Sequence, residues 1–210
     1  MKHGLPRVIP LFALLLASRL AHADIAKEPR SVPAFNAVDL AGVLDVEVQL
    51  GTSASVEISG EANLLDRVIT KVKDGVLVIS TKPKLPNNTH LRAIVTAPDL
   101  AALTLSGVGD LRVTGIANDR LAISLTGVGA LKVAGTTGNL HVGSSGTGDV
   151  SAKQLAAKSS TVMATGVGDT TLQATESLDA TLTGVGDINV YGHPPQIKKS
   201  RSGVGDIHVH

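Results

Sequence analysis

Apolar and polar residues alternate with period two along much of the chain beyond residue 35. Leu44, Val46, Val48 and Leu50 are interleaved with Asp45, Glu47 and Gln49. Leu111 and Val113, then Leu121, Ile123 and Leu125, then Leu131 and Val133, then Leu140 and Val142 repeat the pattern. Period two marks strands with one buried face. The runs hold about five residues, too few for helices of normal length. Ser55 to Ser59 continues the N-terminal strands, and His90 to Thr96 adds another. Val68 to Lys73 and Val76 to Ser80 flank Asp74-Gly75, a strong hairpin signal. Glu61 to Arg67 reads as one helical turn, and Lys82 to Thr89 as a loop.

From residue 106 a second period is laid over the first. Ser/Thr-Gly-x-Gly occurs six times, five times followed by Asp. The copies are Ser106-Gly107-Val108-Gly109-Asp110, Thr126-Gly127-Val128-Gly129-Ala130, Ser145-Gly146-Thr147-Gly148-Asp149, Thr165-Gly166-Val167-Gly168-Asp169, Thr183-Gly184-Val185-Gly186-Asp187 and Ser202-Gly203-Val204-Gly205-Asp206. Their first glycines are 20, 19, 20, 18 and 19 residues apart. A fixed period of this size signals stacked repeats. One unit of two or three short strands cannot bury its own apolar face, whereas stacking buries a continuous one. Parallel crossovers are overwhelmingly right-handed. The prediction is an all-β, right-handed parallel β-solenoid with about 19–20 residues per coil and an irregular N-terminal β cap. Residues 35–98 supply the first coils and cap, and 99–210 the regular repeats, all in one domain over 35–210. The final corner is followed by only four residues, which predicts a missing or very short C-terminal cap and an edge open to self-association.

Each Gly-x-Gly pair is expected to form a structural corner. A sharp turn needs positive φ, and stacked corners bring backbones too close for a Cβ. The Ser/Thr ahead of it can bond its own turn or the next coil. A phosphate loop is excluded, since no copy opens a helix or continues into Gly-Lys-Ser/Thr.

Residues 1–23 read as a signal peptide: Lys2, His3 and Arg7, then an apolar run from Val8 to Leu16, then Ala21-His22-Ala23. That run is too short to span a bilayer, and the rest holds no other apolar stretch of spanning length. Asp24 to Pro33, with charges and two prolines, reads as a mobile start of the exported chain (residues 24–34). There is no cysteine, which argues against a lipid anchor and means the fold is held by core and ladders alone. Losing Lys2, Arg7 and Arg19 with the leader leaves 16 basic against 18 acidic residues. That balance argues against nucleic acid. Tyr191 and Phe35 are the aromatics left, so no platform exists for stacking bases or sugars.

Stacking in register would line Asp149, Asp169, Asp187 and Asp206 into a column, with Asp110 set apart by Ala130. Neighbouring carboxylates at strand spacing repel by about 1 kcal/mol in water. They can cap backbone N–H groups, take up protons, or be bridged by Ca²⁺. Capping is the reading favoured for a common turn residue. A catalytic carboxylate pair for polysaccharide cleavage fits less well, because an active site is singular and this column repeats. His208 and His210 share a strand face and could hold a metal with a third ligand. Lys198, Lys199 and Arg201 read as a solvated loop.

The repeated Ser/Thr-Gly-x-Gly-Asp corners, behind a leader and an alternating N-terminal sheet, resemble the bacterial head GIN domain family. The resemblance covers roughly residues 35–210. Ala130 and Thr147 are the departures. It implies an auto-transporter adhesin head: an exported, non-enzymatic binding or adhesion module of periplasm, outer-membrane surface or medium. It brings no catalytic residues and no cofactor. The partner is left unknown by the sequence, with a cell-surface polysaccharide and another envelope protein as the candidates. A polysaccharide-active enzyme and a calcium-stabilised structural protein are the rival readings.

Overall fold

The computed structural model describes residues 25–86 and 89–210; the leader at 1–23 lies outside them. The N-terminal third contains β1 (Ile25–Arg30), β2 (Ala37–Leu40), β3 (Asp45–Leu50), β4 (Ser55–Glu61), β5 (Val68–Lys73), β6 (Val76–Thr81) and β7 (Arg92–Ala97). The rest contains β8 (Ala102–Leu105), β9 (Leu111–Leu125), β10 (Leu131–Ser144), β11 (Val150–Ala164), β12 (Thr170–Gln173), β13 (Ser177–Leu182), β14 (Ile188–Tyr191), β15 (Gln196–Arg201) and β16 (Ile207–Val209). Together they build a parallel β-solenoid of about five turns with an irregular β cap at its N-terminal end.

Successive coils pair in parallel at equivalent positions. Leu111, Leu131, Val150, Thr170, Ile188 and Ile207 form one inward column. Leu103, Ile123, Val142, Val162 and Ala180 form another on the second wall. These side chains are buried, and each aliphatic so removed from water contributes about 1.5–3 kcal/mol. The columns of aliphatics therefore carry most of the core, which buried Phe35 joins.

Two or three short strands per coil were expected. Instead β9, β10 and β11 each run 14 or 15 residues through the bend. Gly115 (φ +87°) and Gly135 (φ +137°) take up the curvature, and the register slips by one residue beside Gly135. The ladder thus bends at a bulge without breaking. Beyond β11 the coils split into separate strands.

In the cap, β4 lies antiparallel between β1 and β7. The β5–β6 hairpin turns at Asp74 (φ 52°) and Gly75 (φ +78°), and a single 3-10 turn spans Leu65–Arg67. Residues 25–30 are not a free arm: Ile25 to Arg30 pair with Glu61 to Val56 of β4. Lys27 binds Glu57 at 2.8 Å, and Arg30 donates to the Leu65 carbonyl at 2.9 Å. β1 is a covering edge strand, and its charges and Pro29 blunt the edge against further pairing.

The other end also differs from expectation. Lys198, Lys199 and Arg201 lie in β15, not in a loop. Lys199 pairs with core residue Ala180, and Arg201 with Leu182. Lys199 Nζ donates to the Ile207 carbonyl at 3.2 Å, and Arg201 Nη1 to the Gly205 carbonyl at 3.1 Å. Two cations thus occupy core register in the last described coil and bond across it.

One inward position is chemically discordant. Thr170 is buried, and its Oγ1 has no hydrogen-bond partner among the described residues. An unsatisfied buried hydroxyl costs about 1–3 kcal/mol. Thr170→Val keeps the shape and places valine between Val150 and Ile188. A gain of about 1 kcal/mol is expected, read as a higher urea midpoint at unchanged slope; a loss would place a solvent partner on Oγ1.

Candidate binding surface

The six glycine corners stack into one vertical edge. Its centre is a parallel ladder of bridges through Val43, Val108, Val128, Thr147, Val167, Val185 and Val204. Both glycines of each corner leave no room for a Cβ, and the second carries a backbone constraint as well. The second has positive φ, from +122° at Gly205 to +141° at Gly129 and Gly148; Gly109, Gly168 and Gly186 fall in the same range. The first, at Gly107, Gly127, Gly146, Gly166, Gly184 and Gly203, has none. There a Cβ would fall on the glycine carbonyl of the neighbouring coil. Both absences of side chain let the coils close to hydrogen-bonding distance. Val128 N–H donates to the Gly107 carbonyl at 2.9 Å, and Gly109 N–H to the Val128 carbonyl at 3.1 Å.

The residue between the glycines points outward. Val43, Val108, Val128, Val167 and Val185 are about half exposed, and Val204 is 68% exposed. Reading a valine between glycines as ordinary filler misses this. Its direction follows the strand period, which runs on through the corner from Leu105 to Leu111. The signal available was its position between a hydroxyl and an Asp, both outward residues in the alternation.

The Ser/Thr column runs along one side of this valine ridge. Ser106 Oγ donates to Asp39 Oδ1 at 2.6 Å, and Thr165 Oγ1 to the Ser144 carbonyl at 3.3 Å. The Asp column runs along the other side and forms its own ladder. Asp149 Oδ1 accepts the Asp169 N–H at 2.9 Å, Asp169 Oδ1 the Asp187 N–H at 2.8 Å, and Asp187 Oδ1 the Asp206 N–H at 2.8 Å. Upstream, Asp45 serves Asp110 N–H and Asp110 serves Ala130 N–H, each at 3.0 Å. Each of these five carboxylates caps the next coil. Ala130 has none to offer Asp149, so the ladder is broken once. Asp206 sits 3.6 Å from Arg201 Nε.

Other candidate residues are scattered. His208 and His210 rings lie 6.1 Å apart, and His210 stacks on Tyr191 at 4.8 Å. Lys153 Nζ lies 4.2 Å from the same tyrosine ring. Among the described residues, no group of three His, Asp or Glu side chains is placed to hold a metal. Glu47 has its carboxyl held below its ordinary range by a hydrogen bond from Arg92, then by one from Gln49, with Arg112 adding to the effect. It belongs to a surface ion pair on the cap. A depression of about 650 Å³ lies where β9 and β10 bend, at Asn118, Asp119, Gly138 and Asn139. Asp99, Asp119, Glu176, Arg120 and Lys158 line it. Asp99 Oδ1 is engaged by the Leu100 N–H at 2.8 Å, and the Asp119 carbonyl accepts from Asn139.

Fold and corner together define a glycine-cornered parallel β-solenoid with an antiparallel N-terminal cap. The model of the family described as "Putative auto-transporter adhesin, head GIN domain" matches residues 34–194, and the chain belongs to that family. The sixth corner and β15–β16 lie beyond the matched residues and continue the stack. No curated protein matches the chain. Among solved structures, a putative adhesin from Bacteroides fragilis aligns at 24% identity and TM-score 0.74, over 90% of this chain and 98% of that one. A putative lipid binding protein from Parabacteroides distasonis aligns at 20% identity and TM-score 0.52, over 89% of this chain and 97% of that one. A putative adhesin from Parabacteroides merdae aligns at 18% and 0.50, over 88% and 96%. These likenesses establish the fold. No helix among the described residues is long and apolar enough to cross a membrane.

Proposed function

We propose that the chain is an exported, non-enzymatic binding module of the bacterial envelope, of adhesion type, and that the corner ridge is its contact surface. The observation that carries this reading is the single file of outward aliphatics, one per coil, between a hydroxyl and a carboxylate column. Soluble proteins scatter exposed apolar residues, and an aligned set marks an interaction site. The ridge is also rigid, because hydrogen bonds to the neighbouring coils hold the corner backbone. Little entropy is then lost on binding.

The non-enzymatic part rests on the Asp ladder. Most of its carboxylates are spent on a backbone N–H of the next coil, a structural use repeated without a distinguished member. The same bonds favour capping over bridging Ca²⁺. A polysaccharide-cutting enzyme would hold its acids in the depression at Asp119 and Glu176. The adhesin description of the family supports the binding reading, and the leader at 1–23 supports export.

The test expresses the chain with its leader, fractionates the cells, and measures retention of the exported protein on intact bacteria and immobilised envelope polysaccharide. Val128→Ser with Val167→Ser removes apolar surface without touching the core. Retention is expected to fall about tenfold or more at unchanged melting temperature. Equal retention by the double variant would overturn the ridge as contact surface. Release of new reducing ends that is lost in Asp119→Asn would replace the reading with an enzyme.

A further inference from the structure

We infer that the ridge takes an uncharged linear polysaccharide, lying along the solenoid axis with about one sugar per coil. The inference rests on the binding reading above and names its partner class.

The geometry selects a slender polymer. Seven ridge positions in consecutive parallel bridges span six strand spacings of about 4.8 Å, roughly 29 Å in all. From Val108 to Val204 each ridge residue stands between two glycines, so a bare-backbone trough runs down either side there. One trough is walled by the Ser/Thr column and the other by the Asp column. A strip this long and about 10 Å wide covers roughly 300 Å² on this partner, well short of the 800 Å² or so per side in a standard protein interface. A protein or second copy would be held poorly, whereas a polymer sums many small contacts.

The chemistry selects a sugar without charge. A pyranose presents a C–H face and a rim of hydroxyls. In a trough, the C–H face meets valine while the rim meets side-chain oxygens. Ionised Asp only accepts hydrogen bonds, and a hydroxyl rim donates them. In the ladder Oδ1 is bonded to the neighbouring coil, which leaves Oδ2 as acceptor. An acidic polymer would lay its charges along a column of carboxylates at strand spacing, each pair repelling by about 1 kcal/mol even in water. The coil pitch is also close to the length that one hexose adds to an extended β-linked chain. With no aromatic platform on the ridge, each sugar binds weakly, so affinity must accumulate along the chain.

Two columns are each interrupted once, by Thr147 in the valine file and Ala130 in the Asp file. This permits a test by gain. The probes are cello- and chito-oligosaccharides of two to ten units, with amylose and polygalacturonate for comparison, followed by isothermal titration on the full chain. Affinity is expected to rise with each added unit up to about seven and then level off. Thr147→Val is expected to tighten the long probes two- to fivefold, and Val128→Ser with Val167→Ser to abolish their binding. Affinity independent of length, no response to Thr147→Val, or tighter binding of polygalacturonate would each overturn the inference. If the probes fail to bind while the double variant still loses retention on cells, the ridge remains the contact surface and the polysaccharide assignment falls alone.

Discussion

Gly168→Ala is expected to remove most of the stability of the fold. Gly168 has φ +134°, a conformation that costs a residue with Cβ about 1–3 kcal/mol. The new Cβ would also lie 2.6 Å from the Gly148 carbonyl carbon and 3.1 Å from Asp149 Oδ1. The first of these is backbone, already pinned by its own coil, and cannot swing aside. Relief requires the two coils to separate, which breaks the bonds that Gly148 and Asp169 N–H make across that gap, at 2.8 and 2.9 Å. Adding strain, lost bonds and opened packing gives a cost of about 4 kcal/mol or more, a large share of a domain's 5–15 kcal/mol. Gly143→Ala is the matched control. That glycine lies in the same solenoid, yet its added Cβ would meet nothing within 4 Å. It is expected to be neutral or stabilising by up to about 1 kcal/mol. Thermal melts followed by far-UV circular dichroism separate the two. A Gly168→Ala protein melting within about 2 °C of the parent would mean that the corners are not packed as described.

The contrast between those glycines shows what the sequence could and could not convey. The corners are legible because they recur: only a residue without Cβ fits where one backbone presses on another, coil after coil. That the second glycine of each pair also needs positive φ is not legible, since a clash alone and a clash with positive φ produce the same letter. Inward leucines such as Leu121 and Leu140 are legible because burial and strand period agree. The outward valines are not, because period two places them outside while their apolar character says inside. β1 reads as a mobile arm because an edge strand keeps half its side chains in water; what orders it is β4, some thirty residues away. Lys199 and Arg201 read as solvated for a related reason. They occupy core phase in a coil over which no further described strand lies, so composition says surface while register says interior. The corner ridge was thus only half visible. Its Asp and hydroxyl columns are in the repeat, while the aliphatic file between them emerges only once the coils are stacked.

Stacking also dictates where damage should travel. Leu131 is fully buried, in register between Leu111 and Val150. Leu131→Ala removes three carbons from a column whose backbone is fixed on both sides. The site can collapse little, and a loss of about 3–4 kcal/mol is expected from transfer plus cavity. In a compact globule that loss would weaken the whole domain evenly. In a solenoid each coil touches only its neighbours, so stability is close to a sum of coil and interface contributions. The coils N-terminal to the lesion keep the cap formed by β1, β4 and β7, with its antiparallel pairing. Those C-terminal to it keep only the Lys199 and Arg201 bonds at their far end. The lesion should therefore speed amide hydrogen exchange in β11–β16 by a hundredfold or more, while β3 and β7 change much less. Uniform acceleration across all strands would show that the chain unfolds as a single unit, and would remove the nearest-neighbour picture on which the coil-by-coil accounting rests.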